Sequence, residues 1–508
     1  MTAPTASRRT LEPQPGFTRS TTVPTPTSSP ALSTAGLITI LVGVLLPLID
    51  FFIVNVALPT MQHDLHATTA LLELVVSGYA TAYAVLLVLG GRLGDAHGRR
   101  RLFLVGIASF TLTSLLCGIA PSATTLVIAR VLQGASAALM VPQTLSTIQA
   151  TGTPASRSKA LGWLGATGGL AAVTGQLLGG VLVSANIGGS GWRAIFFVNI
   201  PVGVIGLILA ARYVPETHAV RRTQIDVLGT LLLAVTLVAV LIPLTEGRAL
   251  GWPVWSWVLL ALAPVSAIGF GYVERSLERT GGAPLVPPSV LEHNSMRRGL
   301  ILAVPFFATF GAFMFVYALV TQGYLGFGPL RAGLAMGPMA VLFLLASLAT
   351  TRLVAEYGRK VIAAGALIQL VGLLILIATF LAWWPHISVY DLMPGLAVMG
   401  MGQGLILSPL YRVVLSDVPQ EVAGAGSGVL TTTQQTSLAL GVALIGSLFV
   451  SLATASRLGP LHAAVTILAI QAVVAAGLAA GSRLLPRGGR AASPTFAQRE
   501  SVVLDPAV

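Results

Sequence analysis

Three charged side chains lie within long apolar stretches of this sequence: Asp50, Glu73 and Arg130. A charged group inside a bilayer is costly unless it has a partner or water, so such residues mark functional positions. At ~1.5 Å per residue, Asp50 and Arg130 lie at matched depths, roughly 9–12 Å below the same membrane surface. The sequence therefore predicts that they form an ion pair or share a polar cavity.

The chemistry available to such a pair is reversible proton binding. A carboxylate in a cavity that is alternately wet and dry can exchange a proton, and a nearby guanidinium competes with that proton. We therefore predict that Asp50 carries a proton and that Arg130 regulates it, with a static ion pair between two helices as the alternative. Glu73 lies shallower, at the start of the next apolar stretch. It is a further candidate for proton coupling, or an acid favoured there by the helix dipole.

The elements that position these residues must be transmembrane helices. Hydrophobic residues make up 55% of the 508, charged residues only 9%, and the mean hydropathy is +0.85. That composition excludes a soluble globular protein. The lone Cys117 excludes an intramolecular disulfide.

The net charge of +12 reflects membrane topology and not a nucleic-acid surface. Of the 29 basic residues, 24 fall in segments that are cytoplasmic if the N-terminus is inside, which is the positive-inside pattern. A nucleic-acid-binding face would not alternate with apolar stretches in this way. The histidines lack metal-ligand spacing, and the sequence has no phosphate-binding loop. We therefore expect no metal, no cofactor and no nucleic-acid partner.

The apolar stretches predict an all-α membrane protein with fourteen transmembrane helices and both termini in the cytoplasm. Its architecture should be two six-helix bundles with two inserted helices between them. The predicted divisions are a disordered cytoplasmic tail at 1–33, the N-terminal bundle at 34–215, a linker with the two extra helices at 216–298, the C-terminal bundle at 299–485, and a second disordered cytoplasmic tail at 486–508.

Residues 91–101 are predicted to form a tight cytoplasmic loop that acts as a conformational latch. The single acid, Asp95, stands among four arginines, and glycines permit sharp turns and close backbone approach. An acid at this place can bind the positive N-terminal end of another helix while the arginines tie down neighbouring chain. An ordinary positive-inside loop would explain the arginines but not the glycine spacing or the acid. The latch residues are Gly91, Asp95, Gly98, Arg99 and Arg100.

This stretch, Gly91-x-Leu93-x-Asp95-x-x-Gly98-Arg99-Arg100, resembles the signature loop of the major facilitator superfamily. A degenerate second copy, Thr351-Arg-Leu-Val-Ala-Glu-Tyr-Gly-Arg-Lys360, follows 260 residues later. A repeat at half-chain spacing is typical of a duplicated transporter.

A narrower resemblance is to the drug:proton antiporters with fourteen spans. It rests on further motifs in several spans: Asp50-Phe51-Phe52-Ile53-Val54-Asn55-Val56-Ala57-Leu58-Pro59, Arg130-x-x-Gln133-Gly134, Trp192-Arg193-x-x-Phe196-x-x-Asn199 and Asp226-x-x-Gly229. The antiporter motif of the fifth span departs from the family pattern, because glutamine replaces its proline. The small residues still permit close helix packing there. This packing motif consists of Gly175, Gln176, Gly179 and Gly180.

The substrate cavity should be apolar and aromatic. Phe306, Phe310, Phe313, Met314 and Tyr317 recur at helical spacing, and such surfaces suit flat apolar ligands. Packing or lipid contact is the alternative for this stripe. The predicted cavity residues are Asn55, Gln133, Phe306, Phe310, Met314, Tyr317 and Gln434.

The resemblance implies proton-coupled efflux of hydrophobic drug-like or antibiotic molecules by alternating access. It also implies a monomer in a bacterial cytoplasmic membrane, with a small-molecule substrate, protons and the lipid bilayer as partners. A permease working in the import direction is the alternative within this fold. A polytopic membrane enzyme or receptor is the distant one, since no nucleophile motif is present.

Overall fold

The computed structural model of the chain describes residues 32–151, 154–217, 226–247, 250–282, 284–418, 423–454 and 459–485. Most of the two predicted tails therefore lies outside the described residues. Within them, the fold consists of fourteen long helical segments. They are α1 Thr34–Asp64, α2 Thr69–His97, α3 Arg99–Gly118, α4 Ala123–Ala150, α5 Pro154–Ala185, α6 Gly191–Tyr213, α7 Val227–Glu246, α8 Val254–Arg279, α9 Asn294–Tyr324, α10 Pro329–Tyr357, α11 Lys360–Trp383, α12 Val389–Val414, α13 Ala423–Gly441 continued by Val442–Gly446 and Ser447–Thr454, and α14 Gly459–Gly481.

The chain is helical because a bilayer offers no water to backbone amides, so each segment must satisfy its own hydrogen bonds. Thirteen of the described helices are long and apolar enough to cross a membrane. The fifth, α5, contributes the shorter apolar helix Thr174–Ala185. Hydroxyl side chains begin several helices by accepting backbone N–H groups: Ser33 from Gly36 at 3.0 Å, Thr68 from Leu71 at 3.3 Å and Ser122 from Thr125 at 3.2 Å. The predicted all-α membrane fold is confirmed.

Two bundles are joined by the inserted helix pair. The helices α1 to α6 pack together, as do α9 to α14, while α7 and α8 pack on each other and α7 also lies against α2. Two helices of the second bundle, α9 and α13, carry one π-helical turn each, at Leu319–Tyr324 and Val442–Gly446. Such turns within α-helices are frequent at functional positions.

The stretch 91–101 is mostly helix, which differs from the predicted loop. The helix α2 runs to His97, α3 begins at Arg99, and Gly98 alone separates them with φ of 103°. Only glycine adopts this backbone conformation without strain. Asp95 and Arg99, four residues apart, form an ion pair of 2.8 Å across the junction.

The bundles contact each other at the helix ends that the sequence predicts to lie on the outer side. Hydrogen bonds join Gln322 to the carbonyl of Val56 at 2.8 Å and the Leu330 amide to the hydroxyl of Ser184 at 3.1 Å. A bond at mid-depth links Thr432 to the carbonyl of Ala84 at 3.4 Å. In the part of the chain that the structure describes, the ends of the bundles on the predicted outer side are therefore closed against each other.

Candidate functional site

Asp50 and Arg130 form an ion pair in the centre of the first bundle. Both side chains are fully buried, and a terminal nitrogen of Arg130 contacts the Asp50 carboxylate directly. The other carboxylate oxygen accepts amide N–H groups from Gln133 at 3.0 Å and from Asn199 at 2.9 Å. Four helices, α1, α4, α6 and, through a backbone carbonyl, α2, thus meet at one charged cluster.

The guanidinium of Arg130 has partners that do not depend on Asp50. Its Nε donates to the carbonyl of Val75 at 3.1 Å, and Nη1 donates to Oε1 of Gln133 at 2.8 Å. The Tyr79 ring lies below it, with 4.2 Å between the guanidinium carbon and the ring centroid. A cation over an aromatic face is stabilised when desolvated. Groups other than Asp50 thus contact the cation, while its Nη2 has no hydrogen-bond partner among the described residues.

Asn199 and Tyr79 were missed by the sequence reasoning as members of this cluster. Asn199 also donates to the hydroxyl of Ser114 at 2.9 Å, and Tyr79 donates to the carbonyl of Pro47 at 3.1 Å. The available signal for Asn199 was a polar amide inside an apolar span. Its partner could not be found from the sequence, because the orientation of α6 about its own axis relative to α1 must be known first.

Glu73 lies apart from this cluster, near the outer end of α2. Its side chain is buried, and its carboxylate accepts the hydroxyl of Ser447 on α13 at 2.8 Å. The contact crosses from the first bundle to the second, so Glu73 belongs to the interface between the bundles.

A narrow aromatic cavity lies between the two bundles at mid-depth. The aromatic rings come from both sides, and Phe52 and Phe310 meet edge to face with centroids 6.0 Å apart. Two amides, Gln434 and Gln435, supply polar atoms, and Oε1 of Gln435 has no hydrogen-bond partner. The residues that line it are Pro47, Leu48, Phe51, Phe52, Tyr79, Tyr83, Gly168, Phe306, Phe307, Phe310, Phe343, Leu407, Gln434, Gln435 and Leu438. Such a surface suits a flat apolar molecule with few polar groups.

The predicted cavity residues separate into three groups. Phe306, Phe310 and Gln434 line the cavity. Met314 lies above it against the amide of Gln176, and Tyr317 lines a different apolar space within the second bundle. In the first bundle, Gln133 belongs to the charged cluster, and Asn55 donates to the carbonyl of Phe51 on its own helix at 2.9 Å.

The packing motif of α5 faces two neighbours. A side chain at Gly175 would meet Phe52 of α1, and one at Gly179 would meet Ile53 of the same helix. Gly180 instead approaches the backbone of α10 at Pro329, in the other bundle. Gln176, at the position of the missing proline, donates from its amide towards the carbonyl of Phe52 and the sulfur of Met314, both at 3.4 Å.

The predicted latch residues lie at the junction of α2 and α3, at the helix ends that the sequence predicts to be cytoplasmic. Arg99 donates to Asp95 and to the carbonyl of Ser146 on α4 at 3.1 Å. Arg100 binds the carbonyl of Ala211 on α6, and its amide donates to Glu216 at 3.1 Å. The arginines thus tie α3 to its neighbours, as expected of residues that hold down adjacent chain. Gly91 has only ordinary contact, with Pro142.

Asp95 is bound within its own bundle, to Arg99. We predict that its partner in the latch is the glycine-rich start of the helix at 421–428, which falls partly outside the described residues. We expect Asp95→Asn to slow transport and to favour the inward-facing state, because the amide loses its attraction for a helix N-terminus. Cysteine accessibility measured on both faces should change in opposite directions. Unchanged accessibility on both faces would contradict a latch.

A helical membrane protein with two bundles, a central cavity between them and a buried charged cluster beside it is a secondary transporter. The chain belongs to the Major Facilitator Superfamily, whose family model matches residues 40–442. This agrees with the resemblance that the signature stretch carries.

Several relatives are named for antibiotics. The chain is 38% identical over 419 residues to the "Probable actinorhodin transporter" of Streptomyces coelicolor, covering 82% of this chain and 72% of that protein. It is 35% identical to the "Puromycin resistance protein pur8" of Streptomyces alboniger, covering 81% of each. It is 31% identical to the "Methylenomycin A resistance protein" of Streptomyces coelicolor, covering 90% of this chain and 93% of that protein.

Solved structures share the fold at low sequence identity. A POT family transporter crystallised with a thioalcohol-conjugated peptide superposes with a TM-score of 0.64 at 12% identity, over 87% of this chain and 94% of its own. The human organic anion transporter MFSD10 gives 0.57 at 15% identity, over 87% and 99%. These likenesses support the two-bundle architecture alone.

Proposed function

We propose that this protein exports apolar, antibiotic-like small molecules across a bacterial cytoplasmic membrane, driven by proton entry. The observation that carries the proposal is the aromatic cavity between the bundles, which shares helix α1 and the Tyr79 ring with the buried pair of Asp50 and Arg130. The cavity lining includes no acidic or basic side chain among the described residues. Relatives named for actinorhodin, puromycin and methylenomycin A support a substrate of this class.

The proton step takes place at Asp50. When Asp50 is ionised, it is balanced by Arg130 and bound by Gln133 and Asn199. When it is protonated, the ion pair is lost, and the cation is held by the Tyr79 ring, the carbonyl of Val75 and Gln133. Because α1 supplies Asp50 together with the cavity residues Phe51 and Phe52, a change at the carboxylate reaches the cavity wall along one helix. Glu73 is the second candidate for proton binding, at the outer interface.

Alternating access would exchange the outer contacts for cytoplasmic ones. We propose that the units at 34–215 and 299–485 move against each other, with the inserted pair within 216–298, both termini in the cytoplasm and a monomer as the working unit. The bonds from Gln322 to Val56 and from Leu330 to Ser184 then open as the latch residues close the inner side.

Transport by inverted membrane vesicles tests the proposal. With an imposed pH gradient, acid inside, and no ATP, vesicles that contain the protein should accumulate puromycin or a similar aromatic antibiotic. Collapse of the gradient with an ionophore should release it, and vesicles from the host without the gene provide the control. Accumulation that occurs only in right-side-out vesicles would identify an importer. Accumulation that persists without a gradient would exclude proton coupling.

A further inference from the structure

The motif that opens the first inserted helix brings two carboxyl groups together at the cytoplasmic face. Asp226 begins α7, where Oδ1 accepts the amide of Gly229 at 2.8 Å. Glu274 lies near the cytoplasmic end of α8 and is 1% exposed. Asp226 Oδ2 and Glu274 Oε1 lie 2.1 and 2.5 Å from the point that a Cβ on residue 229 would occupy. The glycine thus leaves space that both carboxyl oxygens enter.

Neither of these oxygens has a hydrogen-bond donor. Asp226 Oδ2 and Glu274 Oε1 are both buried and without a partner, whereas the second oxygen of Glu274 accepts the amide of Val286 at 2.8 Å. Two ionised carboxylates at such close range repel each other, while one proton between them makes a hydrogen bond and satisfies both. Carboxyl pairs that share a proton are a known result of this repulsion.

The charges around the pair favour a proton over a metal cation. Among the described residues, the charged groups that interact with Glu274 are Asp226 on α7 and Arg92 on α2. Arg92 also interacts with Asp95, the acid of the signature stretch, on its own helix. One guanidinium balances one of the two carboxylates, and its positive charge opposes a second cation. A proton needs only the two oxygens that are present.

We propose that Asp226 and Glu274 form a proton-binding site, distinct from Asp50, that fastens the linker between the inserted helices and the second bundle. The linker is held at three adjacent points. Arg92 donates to the carbonyl of Pro284 at 2.5 Å, Glu274 accepts the Val286 amide, and Glu278 accepts the Ser289 hydroxyl at 2.5 Å.

Loss of the shared proton releases this linker. With both carboxylates ionised, Glu274 is repelled from Asp226 and withdraws from Val286, so the segment 284–292 opens. The site lies at the cytoplasmic end of its helices, so cytoplasmic pH controls it. This inference does not depend on the substrate or on Asp50 as the proton carrier.

Infrared spectroscopy of the full-length protein in lipid vesicles tests the shared proton. The wild type should show a carboxylic acid C=O band, separate from that of Asp50, that disappears as the pH is raised. Glu274→Gln and Asp226→Asn should each remove it, because the remaining carboxylate is then ionised beside Arg92. Asparagine still begins a helix well, so Asp226→Asn keeps the start of α7. Glu278→Gln, one turn further along α8, is the matched control and should keep the band.

Hydrogen exchange of residues 284–292, corrected for intrinsic rates, tests the consequence. Exchange in the wild type and in Glu278→Gln should rise about tenfold per pH unit once the pair ionises, as linkage to one proton requires. In Glu274→Gln the exchange rate should not depend on pH, since the side-chain amide of the glutamine can donate to Asp226 at every pH. Two results would overturn the proposal: a band that both variants retain, or wild-type exchange that follows the sodium concentration in place of pH. If one of the two variants does not fold, the other variant is sufficient to test the proposal.

Discussion

Uphill export should stop in Asp50→Asn. In inverted vesicles with an imposed pH gradient, the ratio of internal to external substrate should fall to one, while downhill exchange continues. Asparagine has nearly the same shape and can still accept from Gln133 and Asn199, so the cavity beside it keeps its walls. It cannot take up a proton, and the substrate gradient is then no longer linked to the proton gradient.

The same substitution leaves the Arg130 cation without its counter-ion. Breaking a buried pair by removing one partner costs about 3–5 kcal/mol in soluble proteins. The Tyr79 face and the Val75 carbonyl offset part of that cost. The variant protein should therefore be less stable but folded, which a thermal unfolding measurement in detergent checks before transport is compared.

Asp64→Asn is the matched control for Asp50→Asn. Asp64 is an acid on the same helix, also paired with an arginine, because Arg193 lies 2.6 Å from its carboxylate. It lies at the outer end, with its side chain 48% exposed, so its pair contributes about 0–1 kcal/mol. Uphill accumulation should survive in this control. If the Asp50→Asn protein still concentrates substrate when only the pH gradient is imposed, the carrier is elsewhere and Glu73 is the next candidate.

The charged cluster shows what depth along a helix can predict. Asp50 and Arg130 could be assigned to one layer because the helical rise is constant and a buried charge needs a partner. The depth of a residue does not tell which way its helix is turned about its own axis, so Asn199 and Tyr79 were not assigned to the cluster. Their positions depend on how α2 and α6 pack against α1 and α4.

The aromatic stripe of α9 shows the limit of periodicity. Phe306, Phe310, Met314 and Tyr317 share a face roughly 80° wide, and such a face can touch several neighbours. The structure divides it, because Phe306 and Phe310 reach the cavity while Tyr317 donates to the carbonyl of Ala332 on α10 at 2.7 Å. Spacing identifies the face, and only the packing of the second bundle decides what each residue meets.

The contact between the two carboxyl groups of the inserted helices also could not be predicted from the sequence, but the reason is different. Asp226 and Glu274 are separated along the chain by an outer loop and two helices. In the sequence, each of these two residues is simply an acid near the predicted cytoplasmic end of a helix. Their contact follows from the antiparallel packing of α7 on α8 and from the absence of a side chain at Gly229.

Closure of the outer side should be impaired by Gly333→Val. A Cβ at Gly333 on α10 would lie 2.8 Å from the carbonyl oxygen of Gln176 on α5, so the two bundles must separate there. Overpacking of this kind costs typically about 1–3 kcal/mol, which corresponds to a population shift of roughly 5–150-fold towards the outward-facing state. Export should slow by a similar factor, because the inward-facing state that loads substrate is visited less often.

Labelling from the outside measures this shift at a cysteine that replaces Phe310 in the cavity, with Cys117→Ser removing the native thiol. The reaction with a membrane-impermeant reagent should accelerate in Gly333→Val. Gly337→Val, one turn further along α10, is the matched control, since a Cβ there meets only the flexible end of Leu177 at 3.8 Å. Equal acceleration in both variants would show that the added volume and not the contact with Gln176 is responsible. No acceleration in Gly333→Val would mean that this contact does not limit closure of the outer side.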